Sequence, residues 1–306
     1  MKFTIFTPIY NGRHTIHRVW NSIQSQSYRD FEWIIVDDGS ADNVYELLEE
    51  YKNRASFNVN IIMQKNMGKH FAWNKAVQAA QGELFVPADA DDEFVPETLE
   101  IFNNTWENIE DKRFFSGINV LCKDPYTGFV VGDEFPVDGM ISNNLDLYYK
   151  YNIKGEKWGC IRTDILRDYL FPEVAGRRCY FPSYIWFSIA RCFNVVCLNK
   201  ALRIYYPNPN GITSSGHKNL SKNVPTLYHY SIWNLNTNSD YIFKYFSVVK
   251  IFKQYIRHWQ YGLLANNSVL SIIRSIAGKI SRLFIILAAF PGILSYYYIK
   301  LNQDNK

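Results

Sequence analysis

Between Lys2 and Asn104 short apolar runs alternate with segments of helical periodicity, and the runs end in polar clusters. Residues 2–7 read as a strand that stops at Pro8, with a turn at Tyr10-Asn11-Gly12. From His14 to Gln26, Ile16, Val19, Trp20 and Ile23 fall on one helical face. Phe31 to Val36 reads as the second strand, Val59 to Gln64 as the third and Leu84 to Pro87 as the fourth. Helices are expected over residues 43–53, 71–80 and from Pro96 to Asn104, with a loop at 66–69. Strands alternating with helices predict an α/β fold with a mostly parallel sheet flanked by helices. Such sheets bind ligands beyond the carboxyl ends of their strands. The clusters Pro8–Asn11, Asp37–Ser40 and Asp89–Asp92 all follow strands, so they are expected on one edge.

The third cluster carries the most chemistry. Asp89, Asp91 and Asp92 set three carboxylates within four residues. Their mutual repulsion calls for a cation or a solvated turn. Hard oxygen donors at this spacing suit Mg²⁺ or Mn²⁺ carrying a phosphate-bearing substrate. An acidic surface turn is the plainer alternative. No GxxxxGK[ST] occurs, so the chain is not a P-loop enzyme.

Beyond residue 113 the pattern is mixed. Short strands are expected near 114–121, 129–131, 195–198 and 202–206, with helices near 163–169 and 184–193. The break at Pro207–Gly216 divides a domain of residues 1–215 from a helical extension of residues 216–306. Within the first, residues 1–110 form the ligand-binding half and 111–215 a second half. Arg177 and Arg178 suit a clamp on a diphosphate or a lipid pyrophosphate, or simply solvated charge. His217-Lys218 suits either a mobile lid or a plain linker. The five cysteines form no CxxC pair, which fits reduced thiols in a cytosolic protein, and the first residues do not read as a signal peptide.

Aromatic residues reach 17% and concentrate in the second half, where basic residues also dominate. From Ile242 to Trp259 apolar residues recur at helical spacing with Lys244, Lys250, Lys253 and Arg257 between them, which suits a membrane interface or a packed helix. Leu283 to Ile299 carries no charge but is interrupted at Pro291-Gly292 and flanked by Arg282 and Lys300. It reads as a re-entrant or interfacial segment rather than a full span, with a buried core helix as the alternative.

The ordered motifs Thr7-Pro8-Ile9-Tyr10-Asn11-Gly12, Val36-Asp37-Asp38-Gly39-Ser40, Asn66-Met67-Gly68-Lys69 through Asn74-Lys75-Ala76, Gly82-Glu83 and Asp89-Ala90-Asp91-Asp92 resemble family 2 glycosyltransferases of the GT-A fold. The resemblance covers residues 1–105 well and 150–205 loosely. It implies a Rossmann-like sheet and transfer of a sugar from a nucleotide donor, a UDP-sugar, to an acceptor hydroxyl with inversion. By the same resemblance Pro8, Tyr10 and Asn11 belong to the nucleotide pocket and Asp38 bonds the base. Lys69 and Asn74 approach the ribose or diphosphate. Asp89 and Asp91 face the ribose and an Mn²⁺ or Mg²⁺ ion, with Asp92 close by. Asp91 is the leading metal ligand, because a cation offsets the charge of the departing diphosphate.

An inverting transfer also needs a carboxylate base. Related enzymes place an acid ahead of an aromatic helix, where this chain has Pro182 in Tyr180-Phe181-Pro182-Ser183-Tyr184-Ile185-Trp186. Glu173 and Glu156 are the remaining candidates, Glu156 also as an acceptor contact. The expected acceptor is a saccharide or a lipid-linked saccharide in surface polysaccharide or lipopolysaccharide synthesis. The tail would hold the protein on the inner face of the cell membrane, and no nucleic-acid partner is expected. The alternative is a non-catalytic nucleotide-sugar or polysaccharide-binding protein of the same fold.

Overall fold

A computed structural model describes residues 1–173, 180–207 and 220–304. The chain divides into two units, Met1–Pro207 and Asn208–Lys306.

The first unit is built on one sheet, nine-stranded among the described residues. Its opening elements are β1 (Phe3–Ile9), α1 (His17–Gln24), β2 (Phe31–Asp37), α2 (Val44–Arg54), β3 (Asn58–Met63), α3 (Lys69–Ala79) and β4 (Leu84–Pro87). They are followed by β5 (Glu93–Phe94), α4 (Thr98–Glu107), β6 (Phe115–Lys123), β7 (Met140–Ser142), β8 (Lys157–Arg162), α5 (Thr163–Asp168), α6 (Ser183–Ile189) and β9 (Asn194–Ile204). The strand order is β3-β2-β1-β4-β8-β6-β9-β5, with β7 on β9. β1 to β4 are mutually parallel, and the chain reverses its direction of travel between β1 and β4. That reversal opens a crevice at the carboxyl edge. The register sets Ile9 beside Asp37, and Asp37 beside Met63, so the loops after β1, β2 and β3 leave at one level.

Alternation along the strands explains the layers. Phe3, Ile5, Trp33 and Ile35 face one side and pack on Val19, Trp20, Ile23, Leu48, Phe102 and Trp106 of α1, α2 and α4. Phe6, Ile34 and Val36 face the other and pack on Ala72, Trp73, Ala76 and Val77 of α3 and on α5 and α6. All seven residues of β2 are buried, as expected for a strand covered on both faces. Each large apolar side chain so buried contributes about 1.5–3 kcal/mol. Trp33 satisfies its indole through Thr7 Oγ1 at 2.9 Å, so the core holds no unpaired N–H there. Cys122, Cys160 and Cys197 are free and buried, and burial raises all three thiols, Cys122 and Cys197 to about 12. These are inert core residues.

Several expectations change in detail. The strand expected at 129–131 is a single bridge between Val130 and Lys123. The two strands expected at 195–198 and 202–206 are one strand, β9, whose pairing with β6 shifts register near Leu121. The helix expected from Phe71 begins at Lys69, so the end of the expected loop belongs to α3.

The second unit is helical: α7 (Leu220–Thr237), α8 (Ser239–Tyr245), α9 (Val248–Leu264), α10 (Val269–Arg274), α11 (Lys279–Leu287) and α12 (Ala289–Asp304). Its centre is α9. Trp259 is fully buried and donates to Ile285 O at 2.8 Å. A side chain at Gly292 would come within 2.5 Å of Trp259, so glycine lets α12 lie close on α9. His258, also buried, bridges Ser231 Oγ at 2.8 Å and Ser275 Oγ at 3.0 Å.

Candidate functional site

Four loops join at the carboxyl edge through short polar contacts. Asn11, with φ 51°, donates its N–H to Ser40 Oγ at 2.9 Å and accepts Ala41 N–H at 2.8 Å. Asp38 N–H bonds Ile9 O at 2.8 Å, tying the loop after β2 to the end of β1. The Asp38 carboxylate accepts Gln64 Nε2 at 2.7 Å and the N–H groups of Met67 and Gly68, each at 2.8 Å. Gly39 sits at φ +78°, where a side chain would meet Asn66 N at 2.9 Å. Lys69, at the start of α3, reaches Asp89 Oδ1 at 2.5 Å. A side chain at Gly12 would lie 3.6 Å from Ala90, which closes the ring of loops.

Around this ring the expected nucleotide residues take distinct postures. Pro8 is half-buried next to the end of β1, and Tyr10 just beyond the strand is 54% exposed, an open aromatic face. Asp38 is buried and already accepts three bonds, leaving room for about one more. Asn74 is buried, and its amide is committed to Phe171 N and O, both at 2.9 Å, and to Glu173 Oε1 at 3.0 Å. Asn74 is the residue expected near the ribose or diphosphate, and in the structure its amide is engaged by the protein itself. Asn74 instead pins the 171–173 segment to α3. Arg177, Arg178, His217 and Lys218 lie outside the described residues.

The acidic run is divided between bound and free carboxylates. Asp92 is buried and paired with Arg203 of β9, which also lies 3.8 Å from Asp89. Asp89 therefore sits between Lys69 and Arg203. Burial pushes its carboxyl up, but the two cations outweigh that and hold it below the usual range. Asp92 is pushed up to about 7 by burial, against Arg203, with Asp89 and Asp91 adding to the rise. Glu93 accepts the Tyr206 hydroxyl at 3.0 Å. Arg18 donates to Asp91 O at 3.0 Å while its guanidinium lies 3.8 Å from the centre of the Tyr206 ring. The Asp91 carboxylate, half-buried, has no partner among the described residues.

No cluster of three or more His, Cys, Asp or Glu side chains able to cage a metal occurs among the described residues. A single unpaired carboxylate does fit a Mg²⁺ or Mn²⁺ ion that keeps several waters and shares the oxygens of a diphosphate. Asp91 is the residue that would hold it.

The two candidate bases occupy different neighbourhoods. Tyr205 feels the charges of Glu156, Arg203, Asp92 and Asp91, so Glu156 shares its neighbourhood with the acidic run. His70 feels Asp38 and Glu173, so Glu173 lies on the side of the expected base pocket. Pro182 directly precedes α6, whose first turn has no acid. His70 itself was not anticipated. It is buried with neither ring nitrogen bonded, and burial lowers its pKa against the pull of Asp38 and Glu173. Arg18 and Arg203 also escaped the sequence reading. A lone arginine in an amphipathic helix or a late strand carries no local sign of a distant carboxylate.

Comparison with known proteins places this geometry. The sequence pattern described as Glycosyl transferase family 2 matches residues 4–154. The chain is 27% identical over 226 residues to the protein of Bacillus subtilis named as the teichuronic acid biosynthesis glycosyltransferase TuaG, covering 72% of this chain and 84% of that one. It is 32% identical over 102 residues to the poly(ribitol-phosphate) beta-N-acetylglucosaminyltransferase TarS of Staphylococcus aureus, covering 33% of this chain and 18% of TarS. A crystal structure of residues 1–349 of TarS with UDP-GlcNAc superposes with a TM-score of 0.63 at 20% identity, covering 97% of this chain and 92% of that one. At that identity the superposition speaks for the fold, which is GT-A.

Proposed function

The chain belongs to glycosyl transferase family 2, and we propose that it moves a sugar from a UDP-sugar to a hydroxyl of a saccharide or lipid-linked saccharide, inverting the anomeric centre, during synthesis of a cell-surface polymer. Membership of an enzyme family favours this over a non-catalytic pocket of the same fold. The names of TuaG and TarS support the class of product. The complex of TarS with UDP-GlcNAc supports the donor. The observation that carries the reading is the ring of loops in which Tyr10, Asp38, Lys69 and the unpaired Asp91 carboxylate share one edge.

In this reading Tyr10 covers the uracil and the remaining acceptor site of Asp38 takes its imide N–H. Asn11 keeps the Tyr10 turn fixed on the Ser40 loop. Lys69 leaves Asp89 to meet the diphosphate. A divalent cation held by Asp91 supplies positive charge to the departing diphosphate. Glu156 removes the acceptor proton, because its charge reaches the same Tyr205 side chain as the charges of Asp91 and Asp92 do. Glu173, held by Asn74, shapes the opposite wall.

The second unit supports a peripheral place on the inner face of the cell membrane. Between Tyr241 and Gln303 there are eight Lys and Arg residues and no Asp or Glu. No single helix among the described residues is long and apolar enough to cross a membrane, and the pair Lys279–Leu287 and Ala289–Leu301 is bent by 51°. Ile280, Leu283, Leu287, Phe290, Leu294 and Tyr298 are all exposed along that pair. Apolar side chains at this spacing beside cations suit the interface of an anionic leaflet.

The reading is tested with UDP-, GDP- and dTDP-sugars, with and without Mn²⁺ or Mg²⁺. Metal-dependent turnover of a UDP-sugar is expected. Glu156→Gln should then lower kcat about 10²-fold or more, and Glu173→Gln far less. The reverse order would move the base to Glu173.

A further inference from the structure

Four acidic residues crowd the stretch from Asp89 to Glu93, yet only Asp91 offers an unpaired carboxylate among the described residues. The reason is a pair of arginines from opposite ends of the first unit. Arg203, on β9, lies beside Phe94 of β5 in an antiparallel register. Its side chain is 11% exposed, and its guanidinium pairs with Asp92 and stands 3.8 Å from Asp89. Arg18, on α1, holds the backbone of the same turn through Asp91 O at 3.0 Å. The Arg18 guanidinium also stands 3.8 Å from the centre of the Tyr206 ring, whose hydroxyl bonds Glu93 at 3.0 Å. Asp92 N–H closes the turn on Asp89 O at 3.0 Å. The side chains of Asp89, Asp92 and Glu93 and the main chain of Asp91 are thus all held, while the Asp91 carboxylate is not.

We infer that Arg203 is a positioning residue for cation and donor binding, with Arg18 as its partner from the other side of the turn. This rests on the proposal that Asp91 holds a divalent cation. Arg203 fixes Asp89 and Asp92 so that Asp91 is presented alone and at a set place. It also neutralises the two neighbours whose charge would otherwise draw the cation off Asp91. One guanidinium nitrogen, Nη2, meets Asp92 and stands 3.8 Å from Asp89, and an arginine keeps its charge on burial more surely than a lysine does. Removing Arg203 leaves Asp92 buried without its counter-charge, and a lost partner of that kind is destabilising in itself. The test must therefore separate folding from positioning.

Three full-length variants do so: Arg203→Lys, Arg203→Met, and the double variant Arg203→Met with Asp92→Asn, which removes the stranded charge. Mn²⁺ binding is followed by the loss of the free-ion signal in electron paramagnetic resonance, with Mn²⁺ alone and with Mn²⁺ plus UDP. Thermal melting is recorded in parallel, together with KM and kcat for the donor. Arg203→Met should melt earlier and bind Mn²⁺ at least tenfold more weakly. The double variant should recover melting but not Mn²⁺ affinity, with KM for the donor raised more than kcat is lowered. Arg203→Lys should fall between wild type and Arg203→Met in affinity. If the double variant binds Mn²⁺ as tightly as wild type, Arg203 merely stabilises the fold and the inference is overturned. If wild type binds no Mn²⁺ even with UDP, the cation reading itself fails and takes the inference with it.

Discussion

Asp38 and Asp91 both follow strands at the same sheet edge, and their surroundings separate their tasks. Asp38 is buried and accepts three protein donors, so it shapes the loop from Gln64 to Gly68 before any ligand arrives. Replacing it with Ala strands the Met67 and Gly68 N–H groups. Each unpaired buried donor costs about 1–3 kcal/mol, so Asp38→Ala should lower unfolding stability by about 2–5 kcal/mol as well as weakening donor binding. Denaturant unfolding beside donor titration checks both. Asp91→Ala should behave oppositely. Its carboxylate supports no fold contact among the described residues, so melting should stay within about 0.5 kcal/mol of wild type. Donor hydrolysis and transfer should fall by about 10²-fold or more. Full activity in that variant would exclude Asp91 from the chemistry. Sequence alone brings Asp38 and Asp91 to one edge because both follow apolar runs. It does not reveal that Asp89 and Asp92 are already paired, since Lys69 and Arg203 come from elements remote in the chain.

At the level of elements, what was legible followed the strength of the pattern. β1, β2 and β4 are almost wholly buried runs, and β3 keeps Val59, Ile61 and Ile62 as a short apolar pattern; all four are punctuated by Pro, Asn, Asp or Gly, so their existence and order could be read. β5 is only Glu93–Phe94 inside the acidic run, and β7 has three residues, too short for any period. β8 carries Gly159 between Trp158 and Cys160 and cationic residues at both ends, which hides its alternation. Asn199-Lys200 splits the apolar pattern of β9 into two, although backbone pairing runs on past it. Tertiary pairing decides all four. In the helical unit, His258 links α7, α9 and the segment after α10 through two serines. Burial drags its pKa down to about 4 from an ordinary value near 6.5. The unfolded chain then takes the proton first as pH falls. The contribution is whole above about pH 6.5, falls by about 1.4 kcal/mol per pH unit toward pH 4, and is level below that. Melting of this unit should drop between pH 7 and pH 5, and His258→Gln should flatten the drop in that window. An unchanged pH profile in His258→Gln would show that other groups set it.

For the molecule as a whole, the two units divide charge and apolar surface in a way that points to where the enzyme works. The sheet unit holds the acidic run and an edge made of polar loops. The helical unit has a stretch without acids and an uncovered apolar line on α11 and α12, with Phe290 74% exposed. Scattered exposed apolar residues are ordinary, but a contiguous line with cations beside it marks an interaction surface. The line and the charge act through different terms. Each large side chain that enters the interface contributes up to about 1.5–3 kcal/mol, whereas each nearby Lys or Arg adds about 1 kcal/mol on an anionic leaflet and loses it as salt rises. The full-length protein should therefore sediment with phosphatidylglycerol vesicles, less with phosphatidylcholine vesicles, and less again in 1 M salt. Replacing Leu283, Phe290 and Leu294 together with Ser should abolish sedimentation at low salt while leaving turnover of a soluble acceptor unchanged. Replacing Lys279, Arg282 and Lys300 with Gln should abolish the preference for anionic vesicles and the salt effect, but keep the residual apolar binding. Sedimentation of the triple Ser variant equal to wild type would mean that α11 and α12 do not meet the lipid. The cation line alone would then hold the protein there, or the membrane would have no part in its work.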